Sequence, residues 1–391
     1  MKKICFITTV SATLRAFIVE FAKYLHEHCD LEITFICDND EAFVASLPSY
    51  IKFIPVSMKR GISPAGFGAI FRFVSIFKRE KFDMIQYSTP NASFYASIAA
   101  RFSGVPIRLY CQWGLLYVGF QGWKRMLLKT LEKIVCINST WIEPISHRNL
   151  AFAREEKLIK EKNSSVVWNG SASGIDFRKF DISNKQFWRS EIRAQLGISK
   201  STFVFGFVGR ISRDKGSNEL LKAFREMIAT HPDCVLLFVG DFDGNISVES
   251  ELLEWSQSEK RVIYNGFSEN VEKYLAAMDV FVFPSYREGF GESVIEAESM
   301  AVPVIVTDIP GPIDGVLPGE TGITVPKQDS KSLLEAMKSL YEDREFLVLL
   351  SNRGAEHVKK NYDRKVLFKM FMDDRIKLIE SVSKKKGAKN A

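Results

Sequence analysis

The sequence is short of the residues that build metal centres and disulfide scaffolds. Its six cysteines, at positions 5, 29, 37, 111, 136 and 234, form no Cys-x-x-Cys pair and no disulfide-like spacing. That excludes a stapled fold and predicts free thiols in a reducing cytoplasm. His26, His28 and Cys29 cluster in sequence, but they end an amphipathic helical pattern, where a cationic imidazole complements the dipole, so no metal site is expected. No window holds the ~18 uninterrupted apolar residues of a spanning helix. The apolar run after Lys2 and Lys3 is broken by Thr8, Thr9, Ser11, Thr13 and Arg15, and no small-residue cleavage site follows. It reads as a first strand and its loop, not a signal peptide. No Gly-x-Gly-x-x-Gly follows a strand, and Lys215-Gly216-Ser217 reverses the order that a P-loop needs. Dehydrogenase and P-loop chemistry therefore lose their main support.

What the chain does have is enough apolar residue for two cores. Its 391 residues, 46% hydrophobic and 26% charged, fit two soluble domains of moderate size. Apolar runs alternate with helical periodicity throughout. Strands are predicted at 4–10, 31–37, 84–87, 108–111, 133–137 and 166–168, then at 203–208, 234–239, 262–264, 280–283 and 304–307. Helical patterns fall between them, as at 16–27, 69–81 and 332–341. This order predicts an α/β protein of two doubly wound, Rossmann-like parallel sheets, facing each other across a cleft lined by the carboxyl ends of the strands.

The second half carries the chemistry. Arg287-Glu288-Gly289-Phe290-Gly291-Glu292-Ser293-Val294-Ile295-Glu296 joins the apolar run ending at Phe283 to a helix. Unpaired N–H groups and the dipole at such a helix start favour an anion, and glycine allows close approach. A sugar and a ribose could each take one of the carboxylates. The run Thr202 to Gly209 leads likewise into Arg210-Ile211-Ser212-Arg213-Asp214-Lys215-Gly216, so two cations stand where a diphosphate would be compensated.

Gly209-Arg210 with Lys215-Gly216, the Glu288-to-Glu296 segment, Pro303-Val304-Ile305-Val306-Thr307-Asp308 and Gly319-Glu320-Thr321-Gly322 resemble the retaining GT-B glycosyltransferases of family 4. Asn169-Gly170, Gly174-Ile175-Asp176 and Phe180 resemble that family's interdomain segment, and the pattern spans most of the chain. Among members it looks most like bacterial enzymes of capsule, exopolysaccharide or O-antigen synthesis. The resemblance implies an acceptor domain over 1–180, a nucleotide-sugar domain over 181–364, and a last helix within 365–391 crossing back to the first domain; the basic residues Lys384 to Lys389 after it read as an irregular tail. It implies Arg210, Lys215 and Glu288 as catalytic residues. Gly209, the backbone of Phe290, Gly291 and Glu292, Ser293, and Glu296 would hold the donor's diphosphate, sugar and ribose, with Phe267, Ser268 and Asn270 at the nucleobase. No metal or cofactor is implied, and the departing phosphate would help take the acceptor's proton.

Three departures from the family stand out. Ser11-Ala12-Thr13 replaces paired glycines of the first loop; Gln112-Trp113 stands where a donor-site histidine is usual; Ala301 occupies a helix end where glycine is usual. Gln112 either hydrogen-bonds the sugar or packs in the core or against the acceptor. Asp241-Phe242-Asp243 looks like a metal-binding Asp-x-Asp, but reads here as a turn after a strand.

Charge separates the halves. Residues 1–180 hold 24 Lys and Arg against 15 Asp and Glu, and residues 50–135 alone hold 13 against 3, net +10. Phe67, Phe71, Phe73, Phe77, Phe82, Trp113, Tyr117, Phe120 and Trp123 are interleaved there. One reading is a face for anionic lipid or a polyprenyl-diphosphate-linked saccharide at the cytoplasmic side of the membrane; the other is a core plus a solvated basic face. Nucleic acid is not expected, because no binding motif accompanies the charge. The donor is expected to be UDP-linked. Two other functions share the plan: a UDP-sugar 2-epimerase-like isomerase and a noncatalytic nucleotide-sugar-binding subunit.

Overall fold

The computed structural model describes residues 1–58, 66–243 and 248–390, without the side chains of Phe67 and 383–390. Two compact units emerge, one formed by Met1–Ser173 with the chain from Lys365 on, the other by Gly174–Arg364. The first holds β1 (Lys2–Ile7), β2 (Leu31–Cys37), β3 (Ile51–Pro55), β4 (Met84–Tyr87), β5 (Ile107–Gln112) and β6 (Trp141–Pro144). The second holds β7 (Phe203–Val208), β8 (Cys234–Val239), β9 (Val262–Tyr264), β10 (Val280–Phe283), β11 (Val304–Thr307) and β12 (Gly322–Val325). The sheets run β3-β2-β1-β4-β5-β6 and β12-β11-β10-β7-β8-β9, with parallel registers throughout. Each is a doubly wound sheet whose order reverses beside its first strand, between β1 and β4 and between β7 and β10.

Helices cover both sheet faces, so the central strands are apolar end to end. All six residues of β7 are buried. In β1 the two-residue period divides the core: Ile4 and Phe6 pack on one face with Phe21 and Phe35, and Cys5 and Ile7 on the other with Phe73 and Tyr87. The Arg364–Asn390 helix seals the first of these faces with Leu367, Phe368 and Phe371. Deeper still, Arg375 forms a two-pronged ion pair with Glu143 of β6, with Nη2 2.8 Å from Oε1. Both side chains are 2% exposed.

Several sequence expectations are corrected. Residues 133–137, read as a strand from their β-branched run, end the Gly122–Asn138 helix; the apolar face of that helix continues through them. Residues 166–168 form no ladder; the nearest bridge joins Ile142 to Ser164. The strands β3, β6 and β12 were missed, since β3 is a partly exposed edge and β6 contains Glu143 and ends on Pro144. The second unit begins at Gly174 rather than 181 because Ile175 bridges Asp363, with Ile175 N–H donating to Tyr362 and Arg364 N–H donating back. The basic tail, expected to be irregular, continues the last helix to Asn390. Ala301 is left-handed at φ 51°, at a cost of about 1 kcal/mol relative to glycine. Lys185 Nζ and the Ser351 hydroxyl both donate to its carbonyl.

Candidate active site

At the switch point of the second sheet, the loops leaving β7 and β10 are clamped together. Gly216 has φ 75°, and a Cβ there would lie 2.1 Å from the Pro284 carbonyl oxygen, so only glycine lets the two backbones meet. Tyr286 N–H donates to the Asp214 carbonyl at 2.9 Å, Tyr286 Oη donates to Glu219 at 2.6 Å, and Arg287 pairs with Asp214 at 3.0 Å. Burial pushes the Asp214 carboxyl up, but the Ser212 hydroxyl and the charges of Arg287, Arg210 and Lys215 outweigh it and hold the group below the usual range.

This clamp brings Lys215 and Glu288 together. Lys215 Nζ lies 2.5 Å from Glu288 Oε1, and the same oxygen accepts from Ser285 Oγ at 2.6 Å. Both charged side chains are largely buried, at 17% and 13% exposure, and Lys215 Nζ stands 5.5 Å from the centroid of the Phe283 ring. Arg210, just beyond Gly209, is more exposed and pairs with Asp243. The structure thus joins Lys215 to Glu288 and Arg210 to Asp243.

Beside it, Gly291 at φ 90° caps the Glu292–Ser299 helix, a backbone that a side chain would strain. Phe290 is buried against Tyr362, 5.5 Å between ring centroids. Ser293 lies in the first turn of the helix. Glu296 is pushed up to about 7 by burial and then by Glu292, opposed by Lys179 and Arg364. After β9, Phe267 stands 70% exposed while its N–H donates to Asp241 Oδ1 at 3.1 Å, and Ser268 Oγ accepts from Asn270 N–H. Asp241 therefore braces the loop carrying Phe267.

In the first unit the expected residues separate. Ser11, Ala12 and Thr13 form the first turn of a short helix, Ser11–Phe17, rather than an open loop, and Ser11 Oγ donates to Asp40 at 2.5 Å. Gln112 is 1% exposed and donates to Glu132 Oε1 at 2.6 Å; Trp113 packs on Phe17, 5.1 Å between ring centroids. Glu132, which no motif singled out, also accepts from Tyr110 Oη at 2.8 Å. Burial pushes its carboxyl up to about 6 against the pull of Gln112 and Tyr110. It lines a pocket of ≈ 360 Å³. His26 and His28 stack on Tyr50 and Tyr24.

The large apolar residues in and next to the basic region divide by burial. Phe73, Phe77, Phe82 and Tyr117 belong to the core, whereas Phe71, Phe120, Trp123, Met126, Leu127 and Ile137 are exposed. The last four lie on the Gly122–Asn138 helix, where their spacing forms one stripe. No described helix is long and apolar enough to cross a membrane.

Comparison with known proteins agrees with this architecture. Residues 189–357 match the family described as glycosyl transferases group 1, and residues 3–144 the family described as glycosyl transferase 4-like. The chain is 32% identical over 315 residues to the capsular polysaccharide biosynthesis glycosyltransferase CapM of Staphylococcus aureus, covering 80% of this chain and 82% of CapM. It is 24% identical over 352 residues to an Escherichia coli UDP-Gal:alpha-D-GlcNAc-diphosphoundecaprenol alpha-1,3-galactosyltransferase, covering 88% of each. Its fold superposes on HepE of Anabaena, solved with UDP-glucose, at TM-score 0.76 and 19% identity over 98% of this chain and 100% of that one. The chain belongs to the group 1, family-4-like glycosyltransferases and has their GT-B fold.

Proposed function

We propose that this glycosyltransferase moves a hexose or N-acetylhexosamine from a UDP-linked donor to a lipid-diphosphate-linked saccharide in bacterial surface-polysaccharide synthesis, with retention and without a metal. The observation that carries the reading is the Lys215–Glu288 pair, held by Ser285 at the carboxyl ends of β7 and β10. Glycosyl transfer needs positive charge where the diphosphate leaves and an acceptor for sugar hydroxyls beside it. Lys215, joined by Arg210, supplies the first; Glu288 supplies the second. Backbone N–H groups at Phe290 to Glu292 would meet the phosphates or sugar, Glu296 the ribose, and the exposed Phe267 ring the base. The acceptor would attack on the leaving-group face, with the departing phosphate taking its proton. The clamp's part is positioning. CapM and the E. coli relative, by their names, support the surface-polysaccharide setting.

Asp241 and Asp243 already serve Phe267 N–H and Arg210, and the cations of the site perform the compensation a divalent ion would otherwise provide. Transfer from UDP-sugars to a short lipid-diphosphate saccharide is therefore expected to persist in EDTA. Loss of turnover in EDTA with recovery in Mg²⁺ or Mn²⁺ would put a metal in the mechanism; UDP binding without turnover on any acceptor would favour a binding subunit.

The exposed Trp123, Met126, Leu127 and Ile137 stripe, flanked by Lys124 and Lys133, supports docking on the inner face of an anionic membrane. Cosedimentation with phosphatidylglycerol vesicles is expected at low salt, to weaken as salt screens it, and to fall several-fold in Trp123→Ser/Leu127→Ser. Binding that the double substitution leaves unchanged would assign the stripe another role.

A further inference from the structure

The first unit contains a second built site, at the switch point of its own sheet. Thr9 and Thr89 follow β1 and β4, and their hydroxyls meet at 2.8 Å. Between them and the inner face of the Gly122–Asn138 helix lies the ≈ 360 Å³ pocket, walled by Phe94, Leu116, Leu128 and Leu131. Into this apolar chamber the structure places one carboxylate, Glu132. Its Oε1 is occupied by the donors Tyr110 Oη and Gln112 Nε2, at 2.8 and 2.6 Å. Its Oε2 has no partner among the described residues.

An apolar chamber ending in a carboxylate oxygen discriminates between ligands. A pure hydrocarbon would leave the carboxylate buried and unpaired, which is costly. A diphosphate would meet charge of its own sign. A sugar presenting only hydroxyls would find partners in Glu132, Thr9, Thr89 and Asn91 but leave the leucine and phenylalanine walls without an apolar group to cover them. An acetamido group offers both parts, an N–H donor for Oε2 and a methyl for the walls.

We infer that this pocket selects the acceptor saccharide by its N-acetylamino group, with Glu132 accepting the amide N–H. Tyr110 and Gln112 are positioning residues that fix which carboxylate oxygen faces the ligand. The inference rests on the proposed transfer to a lipid-linked saccharide and adds the substrate class.

Isothermal titration of the full chain separates the two readings. The probes are GlcNAc-diphosphate and glucose-diphosphate on the same short alkyl chain, with UDP titrated in parallel. The acetamido probe is expected to bind at least about tenfold tighter, the loss typical of an unmatched polar contact. Glu132→Gln retains shape but turns an N–H toward the ligand's N–H, and should reduce the preference below threefold. Leu131→Trp should fill the chamber and abolish binding of the acetamido probe, while UDP affinity stays unchanged in both variants. Equal affinity for the two probes, or a preference that survives Glu132→Gln in a protein with native circular dichroism, would overturn the assignment even if UDP binds. A preserved acetamido preference without UDP binding would uphold the pocket and overturn the donor reading instead.

Discussion

Glu288→Ala is expected to lower turnover by ~10²-fold or more, with native circular dichroism and UDP affinity within a few-fold of the parent. Glu288 Oε1 is the point where the Lys215 ammonium and the Ser285 hydroxyl converge, at 2.5 and 2.6 Å. Removing the carboxylate takes away the proposed acceptor for donor-sugar hydroxyls and lets Lys215 swing from its set position. Catalysis suffers because both effects act where charge develops; nucleotide binding does not, because Lys215 remains to meet the diphosphate. The backbone should tolerate the change, since Gly216, Tyr286 and Arg287 clamp the loops independently. Glu288→Gln separates charge from shape and should also lose most activity. Glu296→Ala is the contrast: its expected cost is nucleotide affinity. Steady-state rates with a UDP-sugar and a lipid acceptor decide the matter, and a Glu288→Ala variant retaining more than a tenth of turnover would remove Glu288 from the donor site.

Arg375→Met is expected to destabilise the first unit by about 3–5 kcal/mol, the usual cost of breaking a buried pair from one side. Arg375 donates to Glu143, to Gln86 Oε1 at 3.2 Å and to Cys111 Sγ at 3.6 Å, so its loss strands several acceptors at once. Burial already holds the Glu143 carboxyl above its usual range, with Arg375 opposing. Without the guanidinium, Glu143 either stays charged and unpaired or binds a proton. Its folded pKa then rises further above the unfolded one. The folded state accordingly binds more protons than the unfolded, and stability falls as pH rises from the unfolded carboxyl value through the raised one. The deficit should therefore be larger at pH 8 than at pH 5. Glu143→Leu/Arg375→Met should recover most of it, because exchanging a buried pair for apolar groups is often neutral. Chemical denaturation of the three variants at both pH values measures this. A single-variant loss below ~1 kcal/mol would show that apolar packing by residues such as Leu367, Phe368, Phe371 and Ile379, and not the ion pair, holds the last helix.

Sequence by itself determined the class of fold and the order of its parts. Strands β2, β4 and β7–β11 were legible at their observed bounds because a parallel strand buried on both faces is a continuous apolar run. The strand-to-helix joins at 288–296 and 209–216 were legible for a related reason: glycine and charge after an apolar run mark where the strand ends and a helix begins. Periodicity failed where local pattern and tertiary setting disagree. Residues 133–137 look like a strand, but their faces are decided by the pocket on one side of the helix and by solvent on the other. Trp141–Pro144 looks unlike a strand because Glu143 is polar, and Arg375, 232 residues away, with the Cys111 thiol, makes that carboxylate tolerable inside. Three-dimensional packing alone decided that Lys215 pairs with Glu288 while Arg210 turns to Asp243, since which of two neighbouring cations meets a carboxylate depends on loops clamped from different strands. It alone showed that Gln112, whose sequence reading left sugar contact and packing both open, donates to Glu132. Side chains far apart in sequence have no signature of their contact, and the physical reason is that burial, not spacing, fixes a polar group's partner.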